Sequence, residues 1–287
     1  MLNLKALIQI MRPKQWIKNS FVFAALVFSG KFIEMPLLLT NIKTFILFCL
    51  TSSTIYILND LVDIEKDKLH PEKRNRPLPS GKISKGATII LDILIFIIVV
   101  LLSIKNIKLF SILFTYLILN VFYSFKLKNV VIIDVMIITF GFVLRVEAGS
   151  ISTNIPISPW LILCTTLLSL FLALNKRKSE LITLENKSGS HRKILEEYSI
   201  ELINSMLTIV TPSILMAYCL YTFSSVQSRS MMLTIPFVLY GIFRYQYLMF
   251  KNNIGGKPED IFTKDIPFLI NIILWIVSVL IIIYFKL

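Results

Sequence analysis

Residues 41–67 read NIKTFILFCLTSSTIYILNDLVDIEKD, an apolar run of membrane-spanning length that passes straight into acidic residues at Asp60, Asp63 and Asp67. The apolar period predicts a helix that continues past the membrane surface. The three aspartates are spaced i, i+3, i+7, so at about 100° per residue they project within roughly 60° of one another and line one face, while Glu65 points away. Like charges gathered at a membrane boundary repel and are costly to desolvate. Mg2+ is the natural counter-ion, because it takes hard oxygen ligands and bridges to phosphates. The alternative is a solvated acidic turn balanced by Lys66, Lys68 and Lys73.

Outward from this stretch the chain repeats the same apolar theme. Runs long enough to span ~30 Å of hydrocarbon fall near 17–36, 41–58, 86–104, 107–124, 130–149, 157–175, 203–225, 231–250 and 266–285, which predicts an all-α polytopic membrane protein of nine spans. The first run is full length and preceded by Arg12, Pro13, Lys14 and Trp16, so it reads as a permanent span and not a cleaved signal. No Gly/Ser-rich linker divides the chain, and a single domain over 1–287 is expected.

Basic residues set the orientation. One alternate set of connections, with the N-terminus, holds 23 of the Lys and Arg residues and the other only 6, which places the N-terminus and the acidic cluster in the cytoplasm and the C-terminus outside the inner membrane. The formal charge of +13 is concentrated on the loops of one membrane face, where anionic lipid accounts for it and nucleic acid is not implied. Cys49, Cys164 and Cys219 stand singly within apolar runs, without metal or redox spacing.

Two connections on the basic face, 59–85 and 175–204, are far longer than usual helix–helix links, and long ordered loops are often functional. The first continues His70-Pro71-Glu72-Lys73-Arg74-Asn75-Arg76-Pro77-Leu78-Pro79-Ser80-Gly81. Guanidiniums suit bidentate phosphate binding. For each of Lys73, Arg74 and Arg76, ligand contact and simple retention on the cytoplasmic face are open alternatives. His70 reads either as a proton carrier or as a solvated loop residue.

These elements together resemble the UbiA superfamily of intramembrane prenyltransferases. Asn59 to Asp67 has the NDxxDxxxD form of that family's first acidic motif, Arg76 to Gly81 its RPLxxG stretch, and Tyr123-Ser124-Phe125-Lys126 the tyrosine element after the fourth span. The resemblance implies nine helices around a central cavity open to the cytoplasm. Where the family's aromatic prenyltransferases carry a second DxxxD, this chain has Asn175-Lys176-Arg177-Lys178-Ser179-Glu180, so a second metal site is not expected and cations there would meet a phosphate directly.

A more specific likeness is to the decaprenyl-phosphate phosphoribosyltransferase branch. It is carried by residues 12–19 (RPKQWIKN), His70-Pro71 with Lys73-Arg74, Phe142 to Arg145 with Ala148-Gly149, Ser158-Pro159-Trp160, Lys176-Arg177 with Glu180-Leu181, and residues 257–261 (KPEDI). That resemblance implies transfer of 5-phosphoribose from phosphoribosyl pyrophosphate to a polyprenyl phosphate in envelope biosynthesis. Asp60, Asp63, Asp67 and Asn59 would hold Mg2+ and the leaving pyrophosphate, and Lys18, Asn19, Tyr123 and Lys126 would face the same cavity. Lys176, Arg177 and Arg74 would hold the donor or lipid phosphate, with Glu180 completing that motif.

Ionisable residues within spans are functional candidates by default. Asp134, at the cytoplasmic end of the fifth span, is a candidate for the active site; Arg145 and Glu147, nearer the outer end, read as snorkelling; Asp92 reads as pairing with a neighbouring helix. Glu259 and Asp260 resemble the family's last cytoplasmic motif. The competing readings are a polyprenyl diphosphate-dependent prenyltransferase with an aromatic acceptor and a non-catalytic lipid-phosphate transporter or scaffold. Assembly as a homo-oligomer is left open by the sequence.

Overall fold

The computed structural model describes residues 4–69, 73–185, 193–224, 229–252, 261 and 264–286; His70, Glu259 and Asp260 lie outside them. Among the described residues the regular structure is all helix, in two compact units. The first contains residues up to 26, 31–125 and 144–156; the second contains 27–30, 126–143 and 157 onward.

In the first unit, α1 (Leu4–Ile10) leads into a 3₁₀ helix (Pro13–Phe23), followed in sequence by the short α2 (Ala24–Phe28). The expected first span over 17–36 is therefore not one α-helix: a turn separates α2 from α3 (Met35–Val62). Side-chain hydrogen bonds to α3 fasten the 3₁₀ segment in its tighter form. Trp16 Nε1 donates to Ser53 Oγ at 3.1 Å, Ser53 Oγ to the Met11 carbonyl at 3.0 Å, and Asn19 Nδ2 to Ser52 Oγ at 3.2 Å. Thr51 returns its hydroxyl proton to the Leu47 carbonyl one turn back, and the single Ser53 proton is shared between the Met11 and Cys49 carbonyls, so none of these buried polar groups is left unpaired in hydrocarbon.

Beyond α3 come α4 (Ile64–Leu69), α5 (Lys85–Ser103) and α6 (Ile107–Phe125). The Ser84 hydroxyl caps α5 by accepting from the Ala87 amide, and the Asn106 side chain accepts from the Leu109 amide at the start of α6. α3 is largely buried against α5, α6 and the 3₁₀ helix. α5 turns Ile90, Ile93, Leu94, Leu101 and Leu102 outward, an apolar face that a bilayer covers.

The helix α7 (Ile133–Thr153) supplies residues to both units. Arg145, within it, is not a snorkelling residue: it is 5% exposed, donating to Asn19 Oδ1 at 2.8 Å and Tyr116 Oη at 2.9 Å, with its guanidinium over the rings of Phe48 and Tyr116. Nearby, Gly149 is obligatory, because a Cβ built there would overlap the Val22 carbonyl. Asp92, expected to pair with a neighbouring helix, has a buried Oδ1 with no hydrogen-bond partner among the described residues.

The second unit holds α8 (Pro159–Glu185), α9 (Ile200–Phe223), α10 (Ile235–Asn252) and α11 (Ile266–Phe285). α8 packs along α9, and α10 on α11, where Arg244 reaches Asp265 with hydrogen bonds of 3.1 and 2.7 Å. Asp265 also caps α11 by accepting from the Phe268 amide. Seven described helices, α3, α5 to α9 and α11, are long and apolar enough to cross a membrane, against nine expected spans. The two runs outside that count are the 3₁₀ segment and the more polar α10, which begins at Ile235 behind a 3₁₀ turn over Arg229–Thr234.

Gly149→Ala should cost about 1–3 kcal/mol or more by forcing two backbones apart. Thermal unfolding of the purified protein in detergent checks this, with Gly86→Ala, where a Cβ meets nothing within 4 Å, expected to leave the melting temperature in place.

Candidate active site

The acidic stretch departs from a continuous helix at one position. α3 ends at Val62, Asp63 caps it at φ −96° and ψ 13°, and α4 restarts at Ile64. The backbone hydrogen bonds persist through the junction, with the Asp63 amide on the Asn59 carbonyl and the Asp67 amide on the Asp63 carbonyl. The three carboxylates differ in their surroundings. Asp60 and Asp67 are both buried, and a single nitrogen, Arg76 Nη1, joins them at 3.0 Å and 2.7 Å. Asp63, with 29% of its side chain exposed, lies 4.0 Å from Lys66.

Two more cations close around the acid pair. Arg12 binds Asp60 directly, its guanidinium also lying 4.9 Å from the Tyr56 ring centroid, and Lys73 Nζ lies 3.5 Å from Asp67. In the sequence Arg12 reads as a basic residue before the first span and as part of the RPKQWIKN stretch, with no ligand role of its own. Its backbone sits in the left-handed region at φ 55°, directly before Pro13, a conformation that non-glycine residues hold only under constraint. With two carboxylates facing two guanidiniums and an ammonium, the cluster carries a net positive charge and suits an anionic ligand. Its donor set also fits Mg2+, which is held by one or two carboxylates together with water and phosphate oxygens. Among the described residues no three Asp, Glu, His or Cys side chains gather closely enough to enclose a metal.

The other expected residues of the first unit scatter around this centre. Lys18 donates to Gln15 at 2.6 Å, Arg74 is exposed, and Asn59 and Tyr123 are half-buried. Asn19 does not join the acid pair: it is buried among Cys49, Ser52 and Arg145, where its role is to satisfy polar groups inside the membrane. Lys126, exposed, falls in the second unit.

That unit has its own charged centre. Asp134 is fully buried; its Oδ2 accepts from Arg177 Nε at 2.6 Å and its Oδ1 from the Tyr198 hydroxyl at 2.8 Å. The Tyr198 oxygen in turn accepts from the Ile132 amide at 2.8 Å, and Arg177 Nη1 binds Glu180. Ile132 pays for this with φ 68°, an outlier for a β-branched residue. Burial, ahead of the effect of the Asp134 carboxylate, raises the Tyr198 phenol well above its ordinary range and keeps it a proton donor. Arg177 is fully buried and taken up by two carboxylates, which corrects its expected role as a phosphate ligand. Lys176, one residue before it, is half-buried. Nothing in the sequence around Tyr198 signals its part, since its partners Ile132 and Asp134 lie 66 and 64 positions away along the chain.

Comparison with known proteins places these centres in context. The model of the UbiA prenyltransferase family matches residues 20–273. A decaprenyl-phosphate phosphoribosyltransferase of Mycolicibacterium smegmatis is 32% identical, covering 98% of this chain and 93% of the relative. The enzyme of that name from Corynebacterium glutamicum is 28% identical over 97% of this chain and 86% of its own length. Among solved structures, a UbiA homolog from Archaeoglobus fulgidus bound to GPP and Mg2+ superposes with a TM-score of 0.71 at 18% identity, covering 97% of this chain and 99% of that one, a likeness of fold.

Removing the guanidinium with Arg177→Met strands the buried Asp134 charge and should cost about 3–5 kcal/mol. The double variant Asp134→Asn/Arg177→Met should recover part of the lost melting temperature; a double variant no more stable than the single would remove the ion pair as the cause.

Proposed function

The chain belongs to the UbiA prenyltransferase family, and from that premise we propose that it transfers 5-phosphoribose from phosphoribosyl pyrophosphate to a polyprenyl phosphate, with Mg2+-assisted loss of pyrophosphate. The observation that carries this reading is the paired acid centre, Asp60 and Asp67 bridged by Arg76, in a chain resembling named phosphoribosyltransferases over nearly its full length. It works as a single transferase domain within the inner membrane. The distribution of basic residues supports a cytoplasmic N-terminus and acid centre and an outer C-terminus.

In the reaction the C1–oxygen bond to pyrophosphate breaks and a bond forms between C1 and an oxygen of the lipid phosphate. That oxygen is already anionic, so no general base is required. Asp60 and Asp67 would hold Mg2+, with Asp63 and Asn59 beside them, and the ion would supply neutralisation of the charge on the departing pyrophosphate. Arg12, Arg76 and Lys73 bring three fixed cations to the same place, aimed at an anion that becomes more charged as it leaves. Tyr123 is a further substrate-contact candidate of the first unit, and Lys126 and Lys176 are phosphate-binding candidates of the second.

Incubation of the purified protein with Mg2+, phosphoribosyl pyrophosphate and polyprenyl phosphate, followed by mass spectrometry of the lipid, should reveal the mass of one added phosphoribose. A parallel tube with polyprenyl diphosphate and 4-hydroxybenzoate should stay unchanged; product in that tube alone would sink the proposal. Asp60→Asn and Asp67→Asn should each lower turnover by about 10²–10³-fold, the scale of losing an electrostatic stabiliser of the transition state.

A further inference from the structure

Between α8, α9 and α10 the second unit forms a half-open cavity of about 370 Å³. Its polar lining includes Asn175, Lys178, Asn204, Thr208, Thr211 and Gln246, with no acidic side chain among the lining residues. Lys178 is the one charged group of that lining and is only 8% exposed. Its neighbour Arg177 turns to the opposite task of holding Asp134, but Lys178 makes no ion pair among the described residues; its ammonium rests 4.6 Å from the Phe250 ring centroid.

A buried ammonium loses much of its hydration, and an aromatic face returns only part of it. The same lining carries a further polar group. Thr211 has a buried Oγ1 without a hydrogen-bond partner among the described residues. Pro212, inside α9, lacks the amide that would close the helix against the Thr208 carbonyl, which loosens the backbone where the cavity forms. Lys178 lies roughly 28 Å along α8 from its start at Pro159, close to the edge of the ~30 Å hydrocarbon layer. Apolar residues, Leu207, Met249 and the outward-facing Phe250, share the lining.

We propose that this cavity is a phosphate-binding site in which the Lys178 ammonium supplies the charge and Thr211 and Gln246 supply hydrogen bonds. A lipid phosphate and a soluble phosphate monoester present the same chemistry to these groups. The site is independent of the acid centre and of the proposed reaction.

The test uses the full chain in detergent without donor or turnover. Native mass spectrometry with phosphatidic acid, against phosphatidylcholine, reads the lipid arm; calorimetric titration with ribose 5-phosphate reads the soluble arm. Wild type should retain one of the two phosphates, Lys178→Met should bind it on the order of tenfold more weakly or worse, and Lys178→Arg should restore most of the binding. Thr211→Val, which keeps the shape and removes the hydroxyl, should weaken binding by a smaller factor and keeps the test alive if Lys178→Met fails to fold. Binding in the first arm identifies a lipid headgroup and in the second a free phosphate, and either supports the site. Wild type binding neither probe, or Lys178→Met binding as wild type does, overturns it.

Discussion

The electrostatic constraint on which the rest depends is the neutralisation of Asp60 and Asp67 at the end of a membrane helix. Two buried carboxylates sharing one guanidinium nitrogen would be strongly destabilising without it. Satisfying them draws in Arg76 from the following loop, Lys73 beside it and Arg12 from the N-terminal segment. The strained backbone at Arg12 and the 3₁₀ form of the segment after it belong to the same arrangement, because they hold the guanidinium on Asp60 while Trp16 and Asn19 fasten the segment to α3.

The second unit solves the same problem differently. Asp134 is closed off by Arg177 and Tyr198 with every strong acceptor used, so its chemistry is structural; the acid pair of the first unit is surrounded by an excess of cations and is suited to receive an anion. Both centres carry a non-glycine residue at positive φ, Arg12 in one and Ile132 in the other. Such strain persists only where the surroundings over-determine it.

Much of this was legible in the sequence. Long apolar runs separated by basic loops specify helices in a bilayer, and seven of the nine expected runs are single helices of spanning length and apolarity. The NDxxDxxxD stretch pointed to the acid centre, and its likeness to a known family agreed with the comparisons. Three things were hidden. Periodicity carries no information on partners, so it treated the three aspartates alike, whereas the Arg76 bridge joins Asp60 to Asp67. Charge type does not reveal burial, so Arg177 read as a ligand and Arg145 as a snorkelling residue although both are enclosed. Long-range partners have no local signature, which is why Tyr198 on Asp134 and Arg12 on Asp60 required the structure.

The claim that Asp60 and Asp67 form one cation site is tested most directly by equilibrium dialysis of the purified chain against Mn2+ in the presence of pyrophosphate. Wild type should retain the ion on the protein side, and Asp60→Asn/Asp67→Asn, checked for folding by its melting temperature, should lose most of it. A double variant that folds and retains as much Mn2+ as wild type would contradict the account.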